Sequence, residues 1–195
     1  GRDQTLGLVD NAFLKKMKSG SWLINTSRGE VAVTSDLIEG LSDNNYILDV
    51  WENEPHLDAT LLSNARIATP HIAGYSVNGK ANATQAVVRE LSRYFGLGMG
   101  DFEPDIPLPD ERGISAGSGK DFERLKEIVS HTYDISYDDR LLRANPAAFE
   151  ALRSNYRKRW EFVDYTVRLK QKSDQLASVV AKLGFNLHIR ENNDR

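Results

Sequence analysis

Three short apolar runs, each breaking into a polar cluster and separated from the next by a helical pattern, constrain this chain more than any other feature. Trp22-Leu23-Ile24 runs into Asn25-Thr26-Ser27-Arg28-Gly29, and Tyr46-Ile47-Leu48 into Asp49-Val50-Trp51-Glu52-Asn53-Glu54-Pro55. Residues 65–69 run into Pro70-His71-Ile72-Ala73-Gly74. Residues 10–18 place Phe13, Leu14 and Met17 at helical spacing ahead of the first run. Leu37, Ile38 and Leu41, after a cap at Thr34 or Ser35, separate the first run from the second, and a brief helical turn over 57–62 separates the second from the third. Strand, helix, strand, helix, strand predicts a parallel sheet with crossover connections, its first strand buried on both faces. Ligands bind such sheets beyond the carboxyl ends of the strands, which is where all three polar clusters fall.

Further along, Val77, Ala81, Thr84, Val88, Leu91 and Phe95 recur every three or four residues, as one stripe of a long helix. Gly96-Leu97-Gly98-Met99-Gly100 follows that helix rather than a strand, so it reads as a helix stop and not a phosphate turn. Residues 101–119, with three prolines and three glycines, read as a linker or an extended edge. Beyond them lies a second, smaller unit. Its predicted elements are a helix at Phe122, Leu125, Ile128 and Val129, and one opened by Asn145-Pro146. A strand over 163–169, a helix capped by Ser173 and a last strand over 185–189 follow, with a fraying tail over 190–195.

Composition removes several classes of function. Among 195 residues there is no Cys, which excludes disulfides, thiolate catalysis and Cys-based zinc sites. A formal charge of −3 argues against a nucleic-acid partner. No apolar run approaches the roughly 18–20 residues of a membrane span, and a cytoplasmic setting is expected. The chain opens at Gly1 close to a helical segment, and we read it as the C-terminal half of a longer polypeptide.

The strand-end residues suggest chemistry. Arg28 offers a planar fork for a carboxylate. His71 is the side chain type here best suited to moving a proton near neutral pH. Glu54 could hold that imidazole, fixing its tautomer and stabilising its protonated form. Taken singly, each has a plainer reading: a surface arginine in a turn, a turn glutamate before proline, a hydrogen-bonded structural histidine. Taken together at three successive strand ends, they suit a reaction on an anionic hydroxy or keto acid, with hydride transfer the natural candidate on a sheet that commonly hosts a dinucleotide.

The three segments, in order and in register, resemble the signature segments of the D-isomer-specific 2-hydroxyacid dehydrogenases. The resemblance implies an α/β fold. Residues 1–75 would be the C-terminal part of a Rossmann-like NAD-binding domain, 76–99 a long connecting helix and 100–195 a smaller α+β dimerisation domain. It implies NAD as cofactor, with Asp49 and backbone at Gly74 near its nicotinamide. It also implies catalysis by Arg28, Glu54 and His71, and substrate contact by Tyr75 and Arg28. His71-Ile72-Ala73-Gly74-Tyr75-Ser76, Gly79-Lys80, the stretch 149–162 and Lys182-Leu183-Gly184-Phe185-Asn186 resemble a member of that family acting on a phosphorylated hydroxy acid. Trp160, Phe162 and Tyr165, around a strand, read as core or as part of an apolar subunit contact; the resemblance favours the contact, and with it a homodimer through the C-terminal unit. Other expectations stay open: a member acting on phosphoglycerate or glyoxylate, or a non-catalytic NAD-sensing protein. The family's glycine-rich phosphate turn, ribose-reading acid and N-terminal substrate domain are absent from this sequence, so no turnover is expected of the 195-residue chain alone.

Overall fold

The computed structural model describes residues 4–42 and 44–188. The chain divides into two compact units: Gly1–Ala73 with Ile135–Tyr156, and Gly74–Asp134 with Arg157–Arg195. The tail over 190–195 and the end of the last predicted strand at Ile189 lie outside the described residues.

In the first unit, β1 (Trp22–Asn25), β2 (Asn45–Leu48) and β3 (Ile67–Ala68) form a parallel sheet in that order. The register pairs Trp22 with Asn45 and Ile47 with Ile67. β3 is short, but Arg66 N–H and Thr69 N–H continue its ladder onto the Tyr46 and Leu48 carbonyls. β1 departs from the expectation of burial on both faces: Trp22 and Ile24 are 57% and 62% exposed. It is an edge strand, and no described element of its unit covers that face. The crossovers are α2 (Thr34–Glu39) and α3 (Ala59–Asn64), while α1 (Asn11–Leu14) precedes β1. Asp10 and Asp58 cap α1 and α3, accepting from Phe13 N–H and Leu61 N–H at 2.8 Å. The cap expected of Thr34 or Ser35 is supplied instead by Glu52, whose Oε2 accepts from Thr34 N–H at 3.0 Å. A distant carboxylate thus meets the orphan donors of that helix.

The division of the chain differs from the predicted one. After α4 (Val77–Phe95), β4 (Gly113–Ala116) and α5 (Asp121–Thr132), the chain enters α6 (Ile135–Ala144) and α7 (Phe149–Ser154), which pack in the first unit. Leu142 and Phe149, fully buried, join Tyr46, Leu48, Leu61 and Leu62 in one core. Asp139 Oδ1 accepts from Ala68 N–H at 2.7 Å, meeting a donor of the edge strand β3. Arg143 binds both Asp139 oxygens at 3.0 Å through Nε, the Ala65 carbonyl at 2.7 Å through Nη2, and the Leu62 carbonyl through Nη1. Those carbonyls belong to the C-terminal turn of α3, where backbone acceptors lack helical partners and a cation is favoured.

In the second unit, β4, β5 (Thr166–Leu169) and β6 (Asn186–Leu187) are again parallel and in sequence order, linked through α5 and α8 (Asp174–Lys182). This unit too is α/β, where an α+β arrangement was expected. The proline-rich stretch supplies β4 as an edge strand. The predicted strand over 163–169 begins only at Thr166, because Phe162–Asp164 forms a 3-10 turn. Ile114, Ala116, Ile128, Val167, Leu176 and Val180 make the core, with Trp160 and Phe162 packed against it and Tyr165 buried in it. The Phe162 ring stacks on Phe185 at 4.3 Å. Within the unit these aromatics pack against its own core. α4 is capped by Ser76 and ended by Gly96 at φ +65, a left-handed position that glycine adopts without a Cβ penalty. The end of its apolar stripe is uncovered among the described residues, Leu91 being 48% and Phe95 62% exposed.

Candidate active site

Each strand end in the first unit leads into a loop held by a buried polar residue. After β1, Asn25 Oδ1 accepts from Ser27 N–H (3.1 Å) and Ser27 O–H (2.8 Å), and its Nδ2 donates to the Arg28 carbonyl (3.0 Å). The next residue, Gly29, has no room for a side chain: a Cβ there would stand 2.0 Å from the Trp51 carbonyl carbon and oxygen. Glycine lets the Arg28 loop lie directly on the Trp51 loop.

After β2, Trp51 is buried and its indole N–H donates to the Thr69 carbonyl at 3.1 Å, pinning the second loop to the third. Trp51 N–H donates to Glu54 Oε1 at 2.9 Å. The other oxygen, Glu54 Oε2, lies 2.8 Å from His71 Nδ1, with side-chain exposures of 18% for His71 and 21% for Glu54. With the Glu54 carboxylate as acceptor, Nδ1 carries the proton in the neutral imidazole, the tautomer in which His71 Nε2 keeps its lone pair. An imidazole held through one nitrogen by a carboxylate, with the other free to accept a proton, is the arrangement a general base requires.

After β3, His71 adopts φ +55, a left-handed backbone uncommon outside glycine. Asp49 braces it: its carbonyl accepts from His71 N–H at 2.7 Å. Its Oδ1 accepts from Thr69 Oγ1 (2.6 Å) and Ile72 N–H (2.8 Å), and its Oδ2 from Ala73 N–H (2.9 Å).

The structure thus joins Glu54 to His71 and sets Asp49 beneath the His71 loop. Arg28 stands at the adjacent strand end, its side chain exposed and its Nη1 donating to the Ser27 carbonyl at 2.6 Å. It makes no contact with the Glu54–His71 pair among the described contacts. Gly74 and Tyr75 open the second unit, where Gly74 takes φ +78 with open space beside its backbone. There Lys80 Nζ lies 4.5 Å over the Tyr75 ring. Sequence reasoning missed Asn25, Trp51 and Thr69 as loop clasps; the available signal was a hydrogen-bonding residue at or just past each strand's last position. Among the described residues no group of three or more His, Cys, Asp or Glu could hold a metal ion, and no helix is long and apolar enough to cross a membrane.

Residues 1–73 match the family model described as the D-isomer specific 2-hydroxyacid dehydrogenase, NAD binding domain. Residues 106–184 match a domain of unknown function, DUF3410. The erythronate-4-phosphate dehydrogenase of Bacteroides fragilis is 38% identical over 170 residues, covering 86% of this chain and 47% of that protein. The protein of the same name in Escherichia coli O1:K1 is 37% identical over 193 residues, covering 95% of this chain and 50% of that one. The chain spans about half the length of the curated relatives it matches. A solved NADPH-dependent glyoxylate/hydroxypyruvate reductase from Sinorhizobium meliloti is 31% identical over 54% of this chain and 34% of its own, with a TM-score of 0.44. Through residues 1–73, this chain is therefore similar to the NAD-binding domain of the D-isomer specific 2-hydroxyacid dehydrogenases.

Proposed function

We propose that this chain is the C-terminal half of a NAD-dependent oxidoreductase. The enzyme would oxidise 4-phospho-D-erythronate to 3-hydroxy-2-oxo-4-phosphooxybutanoate in pyridoxal phosphate (vitamin B6) biosynthesis, in the cytoplasm. The observation that carries this reading is the 2.8 Å Glu54–His71 pair at the carboxyl edge of a parallel sheet, with Arg28 on the neighbouring strand end.

The roles follow from the chemistry of the groups. Arg28 grips the substrate carboxylate with two N–H donors and orients C2. His71 Nε2 takes the C2 hydroxyl proton, and Glu54 stabilises the resulting imidazolium through Nδ1–H. When bound, NAD supplies the acceptor for the C2 hydride. Asp49 and Gly74 are the residues here that would meet its nicotinamide end: Asp49 Oδ2 carries a single donor, and the open backbone at Gly74 allows close approach. Tyr75 would touch substrate. A homodimer through the C-terminal half belongs to the same proposal. Exposed apolar residues of the second unit, Phe122 at 74% and Val163 at 56%, support it, and a monomer on sizing across micromolar concentrations would reject it.

The test fuses this chain to the first half of the Escherichia coli relative and follows NADH formation. Turnover of 4-phospho-D-erythronate well above that of 3-phospho-D-glycerate supports the substrate. The reverse preference moves the chain to a phosphoglycerate-type member, and the 195-residue chain alone should give no turnover.

A further inference from the structure

We propose that Asp49 is a positioning residue for His71: its carboxylate holds residues 69–73 in the backbone shape that presents the imidazole to Glu54. The inference rests on the reading of His71 as the acid–base group, and concerns how that group is kept in place.

Asp49 is 4% exposed and joins no ion pair among the described residues. A carboxylate buried without a cation is retained only where donors surround it. Three do, and all come from the His71 loop: Thr69 Oγ1, Ile72 N–H and Ala73 N–H, at 2.6, 2.8 and 2.9 Å. Asp49's own carbonyl takes His71 N–H at 2.7 Å. These contacts span the residue at φ +55, a conformation that a side chain with Cβ disfavours and that persists only where its surroundings over-determine it. Ile72, 2% exposed, has no water to turn to if its N–H loses Oδ1. Asparagine would not substitute: Nδ2 in place of Oδ2 would set donor against donor at Ala73, while keeping Oδ1 for the other two. The Glu54–His71 contact therefore depends on a second carboxylate that does not touch the imidazole, and one Oδ2 lone pair remains for the nicotinamide contact.

The experiment is nuclear magnetic resonance on the 15N-labelled 195-residue chain, wild type against Asp49→Asn. It reads amide exchange and the His71 ring-nitrogen tautomer without turnover, so failure of the catalytic reading leaves the result interpretable. Expected is a chain whose β2 amides stay protected, while Ile72 and Ala73 exchange at least about tenfold faster and His71 loses its single Nδ1–H tautomer. Faster exchange with the tautomer intact overturns the proposal, leaving Asp49 a loop staple only, and no change in either also overturns it. Should Asp49→Asn fail to fold, Thr69→Val and Thr69→Ser decide: Thr69→Val should shift the tautomer in the same direction and Thr69→Ser restore it. A Thr69→Val chain indistinguishable from wild type overturns the proposal.

Discussion

Both units carry a three-stranded parallel sheet in sequence order, yet the loops at their strand ends differ. In the first unit, Asn25 fastens its own loop while Asp49, Trp51 and Thr69 bind loop to loop, and the outcome is a histidine held by a carboxylate through one ring nitrogen. In the second, the charged groups close on themselves. Arg124, 2% exposed, binds Asp121 Oδ1 at 3.1 Å and the Gln171 carbonyl at 2.5 Å, while Asp121 Oδ2 accepts from Ser173 O–H at 2.5 Å. That cluster spends its charges on holding structure. The atom left uncommitted in the first unit, His71 Nε2, is one that can accept a proton, whereas the one left unpaired in the second unit's cluster, Arg124 Nε, is a buried donor.

The contrast can be broken most severely through the segment that returns from the second half of the chain to the first unit. Phe149→Ala should cost about 3–5 kcal/mol by opening a cavity in the first core. Amide exchange should then rise across β1–β3 and stay unchanged across β4–β6, whereas a rise confined to β4–β6 would put residues 135–156 with the wrong unit. Gly29→Ala comes next, at about 3 kcal/mol, because its Cβ meets Trp51 backbone and not a side chain that can turn away. Denaturant midpoints measure it, and a near-neutral result would show that the Arg28 and Trp51 loops are not in contact. Arg143→Met should cost roughly 2 kcal/mol, since it keeps the stem's volume but strands the Leu62 and Ala65 carbonyls and Asp139.

The smallest effect belongs to the second unit. Burial, and then the charge of Asp164, raise the Tyr165 hydroxyl above its ordinary 10.0. An acid whose folded-state pKa is raised favours the folded chain while protonated. That contribution is fully present below pH 10 and is lost as pH climbs through the elevated value. Tyr165→Phe should flatten the alkaline fall in thermal midpoint without moving the midpoint's pH dependence near neutrality.

Local rules made the site's side chains legible and left its support obscure. Arg28, Glu54 and His71 stand out because charged and imidazole groups follow apolar runs at strand ends. Asp49 was noticed as a cofactor contact, but its bonds to residues 69–73 depend on two strands lying side by side, which no local pattern encodes. Glu52 as the cap of α2 is the same kind of event, a partner 18 residues away displacing the local candidates Thr34 and Ser35. The return of α6 and α7 to the first unit was hidden for a related reason. Their apolar residues, Leu142 and Phe149, announce a buried face but not which core receives it. Periodicity also overreached at Val163, where alternation continued through a 3-10 turn, and at Trp22 and Ile24, apolar residues left exposed on an edge strand.

The account stands or falls on His71 as the group that takes the substrate proton. Steady-state NADH formation from 4-phospho-D-erythronate by the fused enzyme, wild type against His71→Ala, measures this directly. A fall in kcat of at least about a hundredfold is predicted; an unchanged kcat would contradict it.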